Sequence, residues 1–76
     1  MKIKPEHYAK IANDCAAVIA AHPTALQEYK NAGLSATRYR WDVARKAGLI
    51  RFFCDEVYKY ANDTHIDTAL RNAITF

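Results

Sequence analysis

The sequence predicts an all-α fold, a compact bundle of about five short helices. Apolar residues recur at intervals of three and four along most of the chain, and no stretch alternates as a strand would. The two glycines and two prolines fall where helices would end or begin. With 76 residues, of which 51% are hydrophobic and 25% charged, residues 1-76 are predicted to form a single domain. That length is near the lower limit at which a hydrophobic core suffices for folding.

The first two predicted helices cover residues 5-21 and 23-31. Pro5 suits a first helical turn, and Glu6 lies near the positive end of the helix dipole. One apolar stripe follows, at helical spacing: Tyr8, Ile11, Ala12, Cys15, Val18 and Ile19. Pro23 is expected to break the first helix and open the second. The apolar side of that second helix carries Ala25, Leu26 and Tyr29.

The tripeptide Ala-Gly-Leu occurs twice, at 32-34 and 47-49, and both copies are interpreted as helix ends. In each copy the glycine suits the position after a helix, where a positive φ is required, and the leucine can fold back onto the last turn. Ser35 is a good N-cap for a third helix, 36-46, and Leu49 begins a fourth, 49-61.

The fourth and fifth predicted helices complete the bundle. The fourth is expected to be central, because apolar residues cover much of its circumference. Its apolar residues are Leu49, Phe52, Phe53, Val57 and Tyr60, broadened by Ile50, Cys54 and Ala61. The fifth covers 64-75, where Thr64 and Asp67 form a capping-box-like pair and Asp63 is a competing N-cap.

Two cysteines, Cys15 and Cys54, are too few for a disulfide scaffold. Both lie among apolar neighbours, so we expect two reduced, buried thiols. No apolar run approaches the ~18 residues of a membrane span, and no signal-peptide pattern opens the chain. A cytoplasmic protein without membrane contact is therefore expected.

Positive charge is concentrated between residues 38 and 51. This segment holds five of the eleven basic residues and one of the eight acidic ones, which makes its charge +4 and that of the rest −1. Its basic and aromatic side chains are the candidate partner-binding residues. They are Arg38, Arg40, Trp41, Arg45, Lys46 and Arg51.

Three interpretations of this basic segment remain open. Arg38, Asp42 and Arg45 or Lys46 have the spacing of a solvated salt-bridge ladder. Arginine and aromatic side chains are also enriched in protein-binding hot spots, and they can hold phosphates and stack on bases. Weak, non-specific nucleic-acid binding is thus one expectation.

A helix-turn-helix fits poorly, because tyrosines occupy positions where small and aliphatic side chains usually pack. Trp41 is expected to anchor the core, with its indole N–H near the surface.

No catalytic constellation is predicted. Asp63, His65 and Asp67 alternate by two across a helix start, so they need not converge on a metal, and capping explains both acids. His7 and His22 lie near predicted helix ends and are interpreted as surface groups. The sequence carries no glycine-rich phosphate loop. We expect a protein that is not an enzyme and uses no cofactor or metal.

Several residues in the second half of the chain, 33-74, together form a pattern that is similar to that of a known group of proteins. These residues are Arg38 to Asp42, Ala47 to Leu49, Phe53 to Asp55, Tyr58, Tyr60 and Asn62 to Arg71. This half resembles a group of small uncharacterised proteins of bacterial plasmids and prophages. The resemblance supplies no catalytic residues and implies a context, in which mobile-element accessory proteins often bind and block a host or rival macromolecule.

The predicted function is therefore a non-enzymatic protein-binding module, a phage or plasmid accessory protein that modulates or inhibits a host or defence complex through its basic third helix. One alternative is a small nucleic-acid-binding regulator that uses the same helix. The other is a self-associating structural protein, a homodimer whose interface holds Tyr58, Tyr60 and Phe76.

Overall fold

The computed structural model describes residues 4-57 and 63-74, which form helices and the turns between them, as the all-α prediction requires. The helices are α1 (Pro5–Ala21), α2 (Ala25–Asn31), α3 (Ala36–Lys46), α4 (Leu49–Phe52) and α5 (Asp63–Ala73). Helix α4 continues directly into a π-helical segment, Phe53–Val57.

Helix α1 has the predicted bounds. Lys4 precedes it in an extended conformation, Pro5 occupies the first turn, and Glu6 lies in the same turn. Ile11 and Cys15, one turn apart, are fully buried. The apolar spacing predicted for the first helix therefore corresponds to a helix with one buried stripe.

Helix α2 begins two residues later than predicted, because Pro23 and Thr24 form a turn before it. Its end is the predicted glycine cap. Gly33 has a φ of 75°, and its N–H donates to the Lys30 carbonyl at 3.0 Å. The Leu34 N–H donates to the Tyr29 carbonyl at 2.9 Å, which completes a Schellman motif.

Helix α3 also has its predicted bounds and both predicted caps. The Ser35 hydroxyl accepts a hydrogen bond from the Arg38 N–H at 3.1 Å. At the other end Gly48 has a φ of 76°, and its N–H donates to the Arg45 carbonyl at 3.1 Å. The two Ala-Gly-Leu copies are therefore two helix ends, as predicted.

The central helix of the described bundle is α3, which packs against α1, α2, α4 and α5. The sequence predicted this central position for the fourth helix, 49-61, whereas its described first part, α4, packs chiefly against α3. The regular helix predicted over 49-61 also differs from the structure, because α4 changes into a π-helix at Phe53. Hydrogen bonds from i to i+5 give the π-helical segment a different side-chain spacing from that of the regular helix that was predicted. Residues 58-62 lie outside the described part of the chain.

The hydrophobic core draws on every described helix except α2. Its buried side chains are Ile11, Cys15, Tyr39, Val43, Ala44, Leu49, Phe53, Ile66, Ala69, Leu70 and Ile74. Helix α2 instead covers one side of this core with half-buried Ala25, Leu26 and Tyr29.

The two cysteines differ in environment, which corrects one prediction. Cys15 is fully buried, and this burial, with a smaller effect of the Asp14 charge, raises the pKa of its thiol to about 11. Cys54 is exposed. The expectation that both thiols are buried is therefore wrong for Cys54.

Helix α5 begins one residue earlier than predicted. Because the helix already includes Asp63, Thr64 lies within the first turn rather than at the N-cap. The Thr68 hydroxyl donates to the Thr64 carbonyl at 3.0 Å. One carboxylate oxygen of Asp67, Oδ1, is buried and has no hydrogen-bond partner among the described residues. The two predicted N-caps, Thr64 and the competing Asp63, therefore both lie inside the helix.

None of the described helices combines the length and the apolar character that a membrane crossing would need.

Candidate functional site

Three charged residues of α3 form a row on its solvent side, which we call the arginine face: Arg38, Asp42 and Arg45. The Arg45 Nη1 lies 3.0 Å from Asp42 Oδ1, and the Arg38 Nε lies 3.9 Å from Asp42 Oδ2. Both arginine side chains remain well exposed, at 64% and 68%. The predicted salt-bridge ladder is therefore present, with Arg45 in contact with the shared carboxylate.

The central carboxylate of this face is held from a second helix. The Tyr29 hydroxyl of α2 donates to Asp42 Oδ2 at 2.6 Å, and the Tyr29 ring packs edge-on against the buried Tyr39 ring at 5.3 Å. The hydrogen bond to Asp42, together with partial burial, raises the pKa of Tyr29 above its ordinary value near 10. Because each Asp42 oxygen accepts a hydrogen bond and its side chain is 22% exposed, the carboxylate is fixed in place.

A shallow cleft opens beside Asp42, where the end of α1, helix α2 and helix α3 meet. Its lining residues are Val18, His22, Ala25, Tyr29, Tyr39, Asp42, Val43 and Lys46. The candidate residue Lys46 is exposed at the rim of this cleft, on the same side of α3 as Asp42. The basic surface of α3 thus extends from the arginine face to the cleft.

Trp41 is half-buried and packs edge-on against Phe53, with 6.1 Å between ring centroids. The ring therefore contributes to the core from the edge of α3, and part of it reaches the surface. As a partner contact Trp41 can offer this exposed part, adjacent to Arg38 and Arg45 at helical spacing.

The structure does not support Arg40 as a surface contact. Its side chain is 9% exposed, and its Nη2 donates to the Thr37 hydroxyl at 3.3 Å. The reason is the helix period: two residues correspond to a rotation of roughly 200°, so Arg40 lies opposite Arg38 and faces the interior. Burial of Arg40 thus leaves four of the five basic residues of segment 38-51 accessible to a partner.

Arg51 lies on α4 and is 91% exposed, so it is more accessible than Arg38 and Arg45, the other candidate residues in ion pairs among the described residues. Its Nε lies 3.2 Å from Asp55 Oδ2, one turn along the chain. A cation so solvated and already paired adds little net charge to the surface of α3.

The two histidines that were interpreted as surface groups differ, since His7 is half-buried and His22 is exposed. His7 packs edge-on against Phe52 at 5.3 Å, and the Lys10 ammonium lies 5.4 Å from the centre of the same ring. His22 is exposed at the end of α1. Within residues 4-57 and 63-74, no three His, Cys, Asp or Glu side chains converge as metal ligands would.

Sequence reasoning missed the link between Tyr29 and Asp42. It assigned Tyr29 to the apolar side of the second helix and Asp42 to the ladder. A usable signal was the connection of four residues, 32-35, between α2 and α3. Such a short connection makes consecutive helices neighbours, so the last turn of α2 must contact α3.

Comparison with known proteins gives no relative: no family model, curated protein or solved structure matches this chain.

Proposed function

We propose that this protein is a non-enzymatic, cytoplasmic protein-binding module that docks a partner on the exposed side of α3. The contacts are Arg38, Arg45 and Lys46, with the exposed part of Trp41 beside them. The resemblance to plasmid and prophage proteins supports a role in modulating a host or defence complex.

The observation that carries this proposal is the way in which the arginine face is held. Asp42 is fixed by Tyr29 and in turn contacts Arg45, with Arg38 close by. Long side chains that are ordered before binding lose less conformational entropy when the partner binds. That loss typically costs about 0.5–1.5 kcal/mol for each immobilised side chain. An arginine such as Arg45, which is exposed and already held by a hydrogen bond, suits a partner surface that bears carboxylates.

Protein is favoured over nucleic acid as the partner because the structure reduces the accessible positive charge. Arg40 is buried, and both arginines of the face share Asp42. Arg51 is paired with Asp55. Nucleic-acid affinity depends mainly on unpaired cations that can displace counterions from phosphates.

The test is affinity capture from a bacterial lysate treated with nuclease, with the wild-type chain and single variants as bait. Arg38→Ala and Arg45→Ala should each lower recovery of the captured protein by about tenfold, as expected for a contact worth roughly 1.4 kcal/mol. Trp41→Ala should impair capture at least as much as Arg45→Ala, provided that its thermal unfolding shows an intact fold.

The matched control is Lys10→Ala. Lys10 is also an exposed cation in an ion pair one turn from its partner, Asp14, at 2.9 Å, but it lies on α1. This variant should retain full capture. Equal losses for Lys10→Ala and Arg45→Ala would show that net charge alone governs binding and would contradict docking on α3.

A further inference from the structure

Asp42 is the feature of the arginine face that a simple cationic patch would lack. It sits between the two arginines, four residues after Arg38 and three before Arg45, and each of its oxygens accepts a hydrogen bond. The Tyr29 hydroxyl at 2.6 Å comes from another helix, so Asp42 is held independently of the arginines. We propose that Asp42 is the specificity-determining residue of this face, which keeps nucleic acid from binding there.

A phosphate that lies between the two arginines meets this carboxylate. Arg45 Nη1 and Asp42 Oδ1 are 3.0 Å apart, and Arg38 Nε and Asp42 Oδ2 are 3.9 Å apart, so an anion placed between the two guanidinium groups lies within a few ångströms of the negative charge. Charges at that separation are well inside the Debye length of ~10 Å at 0.1 M salt, so solvent ions do not hide them from each other.

The repulsion by Asp42 acts differently on nucleic acid and on a protein partner, because the negative charges of the two are spaced differently. Each strand of duplex DNA carries one negative charge for roughly each 3.4 Å of the axis, so a strand that lies along the whole arginine face also brings a phosphate near Asp42. A protein surface can place two carboxylates at the ends of the row, where seven residues of helix separate the arginines by roughly 10 Å. It can also offer Asp42 a hydrogen-bond donor. This inference rests on the proposed function for one point, that the favoured ligand is a protein. The exclusion of nucleic acid is tested in a separate measurement.

The molecule contains a matched control for the charge change. Asp55 also pairs with an exposed arginine, Arg51, at 3.2 Å, and its own side chain is 59% exposed. Asp42→Asn and Asp55→Asn therefore raise the net charge equally, from +3 to one unit more. They differ in place, since only the first removes charge from the arginine face. Asparagine at 42 can still accept the Tyr29 hydrogen bond.

The experiment is fluorescence anisotropy with a labelled 20-base-pair duplex and the corresponding single strand, at low and at physiological salt. At low salt Asp42→Asn should bind the duplex at least tenfold more tightly than the wild type, and Asp55→Asn no more than about threefold. The double variant Asp42→Asn/Arg45→Ala should return towards wild-type affinity. Circular dichroism and thermal unfolding verify the fold, and Asp42→Ser, which keeps a hydrogen-bond acceptor, replaces asparagine if that variant unfolds.

Equal gains for Asp42→Asn and Asp55→Asn would overturn the proposal, because total charge would then be the cause. Tight, nanomolar binding of DNA by the wild type would overturn it as well. Failure of the docking proposal is recognised separately, since capture from the nuclease-treated lysate does not depend on the DNA measurement.

Discussion

At the scale of single residues, solvent access separates two thiols that look alike in the sequence. Cys15 is fully buried with a pKa raised to about 11, and Cys54 is exposed. Thiolate is the reactive form of cysteine, so burial and a raised pKa both suppress the reactivity of Cys15.

We therefore predict that a thiol reagent at pH 8 modifies one cysteine of the native protein rapidly and the second only after unfolding. Cys54→Ser should remove the rapid phase and leave the slow one. The measurement is the time course of modification by a chromogenic disulfide, with and without denaturant. Rapid reaction of both thiols in the native protein would show that Cys15 is accessible.

Gly48, like Gly33, has a backbone conformation that few other residues adopt. Its φ of 76° lies in the left-handed region, and a Cβ atom added there would have no heavy atom within 4 Å. Any cost of substitution therefore arises from the backbone and not from a clash.

Gly48→Val should lower the free energy of unfolding by about 1 kcal/mol or more, since a β-branched residue is strained in that conformation. Gly48→Asn should lose less, because asparagine tolerates left-handed backbone. Urea unfolding of the three proteins provides the comparison. Equal stability of glycine and valine at position 48 would disagree with the observed cap.

At the scale of elements, the change from α4 to the π-helical segment occurs at the most deeply packed aromatic residue. Phe53 is 1% exposed, contacts Trp41 of α3 and lies beside Phe52, with 6.0 Å between the two ring centroids. A π-helical turn in this position is an interruption of a regular helix, and its stability depends on what it packs against.

Phe53→Ala should destabilise the protein by about 3–5 kcal/mol, because it removes a buried ring and leaves a cavity. That loss is a large part of the roughly 4–11 kcal/mol expected for a domain of this size. Phe52→Ala, at a half-buried position, is the control and should cost clearly less. Chemical denaturation measures both, and a loss below about 1 kcal/mol for Phe53→Ala would mean that the π-helical segment contributes little to the core.

The contact between α2 and α3 depends on a hydrogen bond that titrates. The pKa of Tyr29 is raised in the folded state, first by its hydrogen bond to Asp42. A group whose pKa is raised by folding contributes stability that is complete below its unfolded pKa, near 10, and is lost as the pH rises through the folded value.

Wild type should therefore be more stable than Tyr29→Phe at pH 7, by about 1 kcal/mol, and this difference should shrink as the pH is raised above 10. Urea unfolding at neutral and alkaline pH tests both statements. The raised pKa of Tyr39, caused by burial, is common to both proteins and cancels in the comparison. A difference that does not change with pH would contradict the assignment to the Tyr29 hydroxyl.

At the scale of the whole molecule, the excess positive charge is less available than its position in the sequence indicates. Of the five basic residues between 38 and 51, Arg40 is buried, and three exposed arginines lie near carboxylates. Lys46 remains exposed at the cleft.

The wild-type protein should accordingly bind duplex DNA no more tightly than micromolar at physiological salt, and without sequence preference. If the contacts to phosphates come from the four exposed basic groups of segment 38-51, the slope of log affinity against log salt should be no steeper than roughly −4. A salt titration by anisotropy measures this slope. Nanomolar, sequence-selective binding would instead support the nucleic-acid regulator.

The positions at which α3 begins and ends were determined by the sequence alone. Ser35, Gly33 and Gly48 act through hydrogen bonds and backbone angles within a few residues of themselves, so the bounds of α3 follow from local chemistry. The ladder of Arg38, Asp42 and Arg45 is equally local, since one helix sets its spacing. These features needed no knowledge of packing.

Only the tertiary structure decided which helix is central, which cysteine is buried, and that Tyr29 holds Asp42. Each depends on where separate helices meet, and the period of one helix identifies an apolar face without identifying what covers it. The same reason explains Arg40. Its position opposite Arg38 followed from the helix period, but its burial required the other helices that α3 packs against.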